Sequence, residues 1–252
     1  MFALGKNIGY DFAGVVSAHK SDEKFAEKQK EAWDMVRKCI DDSIPCYGWE
    51  LEAAEFYIIK GYDDIGYYYN GPGADPIKGP KPWQELGNTT IGILGMVGVK
   101  RGQPADDATT VKEALEFSLE HAKAKKWVLP NYKSGLAGFD KWIETVAKGE
   151  ANGLGMAYNT AVWAECRTMG LLFLEEAKRR LDGKLRPLFD KAIGNYSPVV
   201  ESLNLLVDLF PMFPQGEIED RERREKSLKY LKRAREAEEK GLKSLEKIVA
   251  AL

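Results

Sequence analysis

Apart from one helical stretch at 21–42, the spacing of apolar residues changes period near residue 104, and that change limits what the chain can fold into. Before it, short β-branched and aromatic runs alternate with turn residues. After it, apolar residues recur every three or four positions almost to the end. Residues 10–18 have the composition of a strand, and 21–42 show helical spacing with Phe25, Ala32, Trp33, Val36 and Ile40 on one face. Pro45 turns the chain into strands over 46–51, 55–63 and 66–70, the last two joined by a link short enough for a hairpin. The Pro- and Gly-rich stretch 71–82 reads as a loop, and 90–100 as the closing strand. Four or five consecutive strands with one helix predict a curled antiparallel sheet.

The second part reads as helices. Thr110 and Glu113 form a capping-box signature ahead of Val111, Leu115, Leu119 and Ala122. Leu136, Phe139, Ile143 and Val146 make the stripe of the next helix, which Gly149 ends. A long helix over 155–181 stops at Asp182-Gly183, and Ser197-Pro198 supplies an N-cap and first-turn proline for a helix ending near Phe210. After a loop at 211–216, a charged helix over 218–252 carries Leu228, Leu231, Leu242, Leu245, Val249 and Leu252 on one seam. The seam approaches a heptad, interrupted by Arg235 and Glu238. A helix covering its neighbours and a helix pairing with a second copy both fit it. The expected architecture is α+β: a curled antiparallel sheet with one helix over 1–104, then an all-helical domain over 105–252.

Composition excludes several classes. Among 252 residues, 37 Lys and Arg face 39 Asp and Glu, which argues against nucleic-acid binding. The Arg221 to Arg235 run alternates with acids, as a solvated helix face does. No run of 18 apolar residues predicts a membrane span, and the first residues lack the pattern of a signal peptide, so a cytoplasmic location is expected. Cys39, Cys46 and Cys166 are unpatterned and read as reduced thiols. His19 and His121 are far apart and assigned no special role. Without paired His or Cys motifs, no metal is expected; without a phosphate-binding glycine motif, no nucleotide or other cofactor is.

The segment Ser43-Ile44-Pro45-Cys46-Tyr47-Gly48-Trp49, followed by the strands ending Gly61-Tyr62-Asp63 and Tyr67 to Asn70, resembles a known pattern. It is similar to the C-terminal half of papain-like domains of the bacteriocin-processing-peptidase type, including the butirosin acyltransferase N-terminal type. Gly135-Leu136-Ala137-Gly138 and 156–163 resemble the helical second domain of a subgroup of that family, a part that brings no established activity. The resemblance implies a papain-like fold for about the first hundred residues. It also implies a catalytic His six residues before the glycine of Gly-Tyr-Asp, and here that slot holds Glu55. The orienting Asp or Asn falls near Asn70. The nucleophilic Cys belongs on a helix well upstream of Pro45, where the only cysteine is Cys39, at the C-terminal end of its helix. A thiolate needs an imidazole or a helix N-terminus beside it, and a carboxylate has the opposite effect. The expectation is a pseudoenzyme, or a chain without an N-terminal segment that its relatives have.

Two places remain as candidate sites. Glu55 opens a strand facing the old cleft, with Tyr57 beside it, either as a ligand-binding group or as a residue at a strand entrance in water. On the long helix, helical spacing puts Met156, Val162, Trp163, Cys166, Gly170, Phe173, Leu174 and Ala177 on one side, with Asn159 in the middle of that face and Tyr158 and Arg167 on its edges. A buried amide must find partners. Asn159 either bonds a backbone group or shares a small polar pocket with Tyr158, Trp163 and Arg167. Trp142 reads as core, and Cys166 as a small buried hydrophobe. Three functions stay open. The first is a non-peptidase protein binding a small polar ligand or peptide in a groove between its two parts. The second is an acyl-transfer or amide-hydrolysing enzyme using Glu55 for the usual histidine. The third is a structural module that forms a homo-oligomer through its last helix.

Overall fold

The computed structural model describes residues 2–75, 79–124, 132–212 and 220–252. The fold is α+β, and the chain divides into two compact units, Met1–Ala105 and Asp106–Leu252.

The first unit is built on β1 (Tyr10–His19), β2 (Cys46–Trp49), β3 (Phe56–Tyr62), β4 (Gly66–Asn70), β5 (Lys81–Pro82) and β6 (Ile93–Arg101), with α1 (Phe25–Asp41) between β1 and β2. The strands form one curled, open antiparallel sheet in the order β1-β6-β2-β3-β4-β5. Period-two burial fixes its register: on β3, Tyr57 and Ile59 are buried while Phe56, Ile58 and Lys60 are exposed. The buried face meets the stripe of α1, where Gln29, Ala32, Trp33, Val36 and Cys39 recur at helical spacing. Gln29 is buried because its amide donates to the Gln84 and Leu86 carbonyls at 2.5 and 2.9 Å. The residues that carry the papain-like resemblance do structural work here. Asp63 Oδ1 accepts from the Ile65 and Gly66 amides at 2.8 and 3.1 Å, and Oδ2 from the Tyr68 hydroxyl at 2.9 Å, which fixes the β3–β4 turn. Lys81 and Pro82, expected in a loop, add a short strand to β4. Residues 76–78 of that expected loop lie outside the described residues.

The second unit packs α2 (Asp107–Lys123), α3 (Gly135–Lys148), α4 (Gly153–Arg180), α5 (Arg186–Leu209) and α6 (Arg221–Ala251) around one apolar core. Phe139, Met156, Phe189, Leu203, Leu206 and Phe210 are its largest fully buried side chains. Gly149 ends α3 in the left-handed conformation, as expected. Two helix starts differ from the sequence reading. Asp106, not Thr110, caps α2: its carboxylate accepts from the Thr109 amide at 2.9 Å and the Thr109 hydroxyl at 2.7 Å. Ser197 and Pro198 do not begin a helix, because α5 already starts at Arg186 with Pro187 in its first turn. Pro198 is carried inside α5, and the Ser197 hydroxyl turns back to the Ile193 carbonyl at 2.8 Å instead of capping. The expected loop at 211–216 is described only at Pro211 and Met212. On α6, Leu231, Leu245 and Ile248 are buried in this unit's own core, and Leu228, Leu242, Val249 and Leu252 pack against it.

Candidate functional site

Helices α4 and α6 bring together two residues that each interrupt an apolar stripe. Arg167 Nε donates to Glu238 Oε1 and Oε2 at 3.1 and 3.0 Å, and Nη2 donates to Oε1 at 2.8 Å. This is a two-pronged, charge-assisted contact. The Glu238 side chain is 3% accessible and that of Arg167 24%. One turn earlier on α4, the Trp163 ring lies beneath the guanidinium, whose Cζ is 5.1 Å from the ring centroid. Edge contacts from Phe139 and Trp142 hold that ring, and Trp142 Nε1 points at Met156 Sδ, 3.1 Å away.

The pair stands in the wall of a cavity of about 680 Å³ whose described lining residues all belong to the helical unit. That volume is in the range of pockets that enclose drug-sized molecules. Among the described residues, α2 contributes Leu115, Ser118 and His121, and α4 contributes Val162, Trp163, Cys166, Gly170, Phe173 and Leu174. Helix α5 adds Tyr196 and α6 adds Glu238, Leu242 and Leu245, while Tyr132 and Lys133 lie ahead of α3. Most of the lining is apolar. Tyr196 reaches this position because Gly241 has no side chain: a Cβ there would lie 2.6 Å from the tyrosine ring. Tyr196 is 7% exposed as a residue, and its hydroxyl makes no hydrogen bond among the described residues.

The electrostatics follow from burial. Desolvation works to strip the proton from Arg167, but the Glu238 carboxylate outweighs it and holds the guanidinium above its ordinary value. Burial, then the Glu238 charge, push the Tyr196 phenol up, so it stays a neutral hydroxyl. Burial, then the Arg167 charge, hold His121 below its ordinary 6.5. Linkage gives that last shift a sign. Above the unfolded value both states leave His121 neutral; below it the unfolded chain takes a proton that the folded chain resists. The stability associated with His121 is therefore present above about pH 6.5 and declines as pH falls toward the lower folded value. The melting temperature of His121→Asn should fall less than that of the parent between pH 7.5 and about 5.5. Equal slopes in the two melting series would show that His121 is not the titrating group.

The sequence-predicted residues are divided. Trp163 and Arg167 line the cavity. Tyr158 is 60% exposed, and Asn159, expected in the middle of a buried face, is exposed. The buried stripe of α4 falls instead on Met156, Ala157, Thr160, Ala164 and Leu174, where small residues let neighbouring helices approach. Asn159 shares a helical line with Trp163, Cys166, Gly170 and Phe173, but it sits a turn before the cavity begins. Cys166, read as a buried hydrophobe, is exposed and faces that cavity. The sequence reading gave no site role to Tyr196, Glu238 or His121. Glu238 was visible only as a break in the α6 seam, and the misplaced helix start at Ser197 obscured Tyr196.

In the first unit, Glu55 is exposed in the bend before β3, its backbone bonded to Glu50 and Ala53. Asn70, also exposed, pairs with Ile58 across β3 and β4. Tyr57 is buried, and its hydroxyl donates to the Pro72 carbonyl at 2.6 Å while accepting from the Ala53 amide at 2.9 Å, so both of its capacities are used. Burial, then the Asp42 carboxylate, hold the Cys39 thiol above its ordinary value, and burial pushes Cys46 up to about 12. Both thiols are therefore kept protonated rather than activated. Among the described residues, no cluster of His, Cys, Asp and Glu is arranged to hold a metal, and no helix is long and apolar enough to cross a membrane. No family model matches the chain, and no curated protein matches its sequence.

Proposed function

We propose that the protein binds a small molecule inside its helical unit, in the cavity walled by Trp163, Arg167, Tyr196 and Glu238. The observation that carries this reading is a mostly apolar space of about 680 Å³ with a few polar groups in its wall, among them the Arg167–Glu238 pair and the Tyr196 hydroxyl. Binding is favoured over acyl transfer through Glu55 because Glu55 is exposed in the bend before β3, and Cys166, the thiol in the cavity wall, makes no hydrogen bond among the described residues. Oligomerisation through α6 is less favoured, because none of the exposed large apolar side chains lies on that helix. The papain-like likeness of the first unit stands as a proposal about its ancestry and adds no group to this site.

Gly170 offers a clean test. It lines the cavity, and a Cβ built there meets nothing within 4 Å, so a side chain added there starts from open space. The neutral apolar fluorophore N-phenyl-naphthylamine should brighten on binding the full chain. In Gly170→Phe that binding should weaken at least about tenfold, while the melting temperature is held or raised because a helix-interior glycine has been removed. Unchanged fluorophore binding in Gly170→Phe would place the ligand elsewhere and end this reading.

A further inference from the structure

The cavity's charge balance narrows what can occupy it. The two full charges in its buried wall, Arg167 and Glu238, are locked together by three hydrogen bonds and cancel. His121 stands in the same wall, where burial and the neighbouring guanidinium oppose its taking a third charge. Lys133 also lines the cavity, but it is exposed to water, where its charge is screened. A carboxylate entering the interior would bring an unbalanced negative charge beside Glu238, and an ammonium would bring an unbalanced positive one beside Arg167. In a poorly solvated space either excess charge is costly.

Among the other polar groups of the wall is the hydroxyl of Tyr196, a residue 7% exposed; it is bonded to no described residue. Its position is built rather than accidental, since it depends on Gly241 leaving room for the ring on α6. A hydroxyl in the wall that donates to no described residue can donate to a ligand that brings an acceptor. Around it, the apolar lining from α2, α4 and α6 suits a hydrocarbon or aromatic body.

Resting on the small-molecule reading above, we propose that this cavity selects an uncharged, mainly apolar ligand whose carbonyl or hydroxyl oxygen is held by the Tyr196 hydroxyl. The Arg167–Glu238 pair then acts as a neutral polar wall that rejects charged analogues.

Displacement of N-phenyl-naphthylamine tests the two readings separately. Naphthamide, naphthoate and naphthylmethylamine share a ring and differ in the charge of the head group. At pH 8 the amide is expected to displace the fluorophore at about tenfold lower concentration than either charged analogue. Tyr196→Phe should lower the affinity of the amide relative to the fluorophore by about tenfold, because only the amide uses the hydroxyl. Glu238→Gln, which leaves the Arg167 charge uncompensated, should reverse the order so that naphthoate displaces best. Should that variant not fold, the Tyr196→Phe ratio decides. Equal or tighter binding of naphthoate or the amine in the parent protein overturns the proposal while leaving the cavity reading intact. So does displacement by none of the three, or an unchanged ratio in Tyr196→Phe. If the fluorophore itself fails to bind, or binds Gly170→Phe equally well, the cavity reading falls and this proposal with it.

Discussion

Replacing Glu238 with Ala is expected to cost the helical unit about 3 kcal/mol, one of the two largest single-residue effects predicted for this protein. The cost comes mainly from what remains. Arg167 would keep its charge in a wall from which it now makes three bonds to one carboxylate, and no described residue offers a substitute. The value is set at the low end of the usual range for broken buried pairs because 24% of the Arg167 side chain remains accessible. Removing both charges should be far milder: Arg167→Met with Glu238→Leu replaces the pair by apolar groups of similar size, and most of the lost stability should return. Hydrogen exchange of α4 and α6 peptides measures this directly. Their slowest amides should exchange roughly a hundredfold faster in Glu238→Ala and near the parental rate in the double variant. If the double variant is as unstable as the single one, the pair acts through packing and the account of a stranded charge is wrong.

How far the sequence revealed this fold depends on which signal each element used. The strands of the first unit were legible because β-branched and aromatic runs bounded by turn residues are a strong local signal, but the buried face of β3 was not, since Phe56, Tyr57, Ile58 and Ile59 are all apolar and only Tyr57 and Ile59 are buried. The α+β class followed from the same signal. Helix phase on α4 was harder to read, because large apolar residues usually mark the buried side and here they do not. Leu154, Tyr158, Val162, Met169 and Leu172 are exposed, while Ala157, Thr160 and Ala164 are buried. The site itself was half legible. Trp163 and Arg167 announced themselves as an aromatic and a charge on an apolar edge. Their partners Glu238 and Tyr196 are on other helices, 71 and 29 positions away along the chain, and helical periodicity carries no information over such separations. Glu55 and Asn70 illustrate the reverse limit. A motif slot preserves a position on a strand, but both side chains are exposed and the motif's Asp63 fixes a turn.

The other large effect is expected at Gly135, one of the two glycines that flank the start of α3. Its φ is +55°, and a Cβ there would lie 2.1 Å from the carbonyl oxygen of Ala122 on α2. An alanine therefore meets two penalties at once. The left-handed conformation costs about 1 kcal/mol, and overlap with a backbone atom that no rotamer change can clear costs about 2 kcal/mol more. Gly135→Ala should thus lose about 3 kcal/mol. Gly138, three residues on, is the control, because its added Cβ would meet the Lys133 carbonyl oxygen and the Trp163 ring at 3.1 Å. Gly138 also lacks the positive φ, so small shifts relieve the contact and the loss from Gly138→Ala should stay under about 1 kcal/mol. Urea unfolding followed through the α2 and α3 amides should separate the two variants clearly, and equal losses would contradict the backbone argument. The difference should extend to the cavity. Ala122 and Ser134 line it, and the Ser134 hydroxyl bonds the Ala124 carbonyl at 3.0 Å. Forcing α2 and α3 apart at Gly135 therefore moves that wall, and Gly135→Ala should weaken N-phenyl-naphthylamine binding even at temperatures where the variant is still folded.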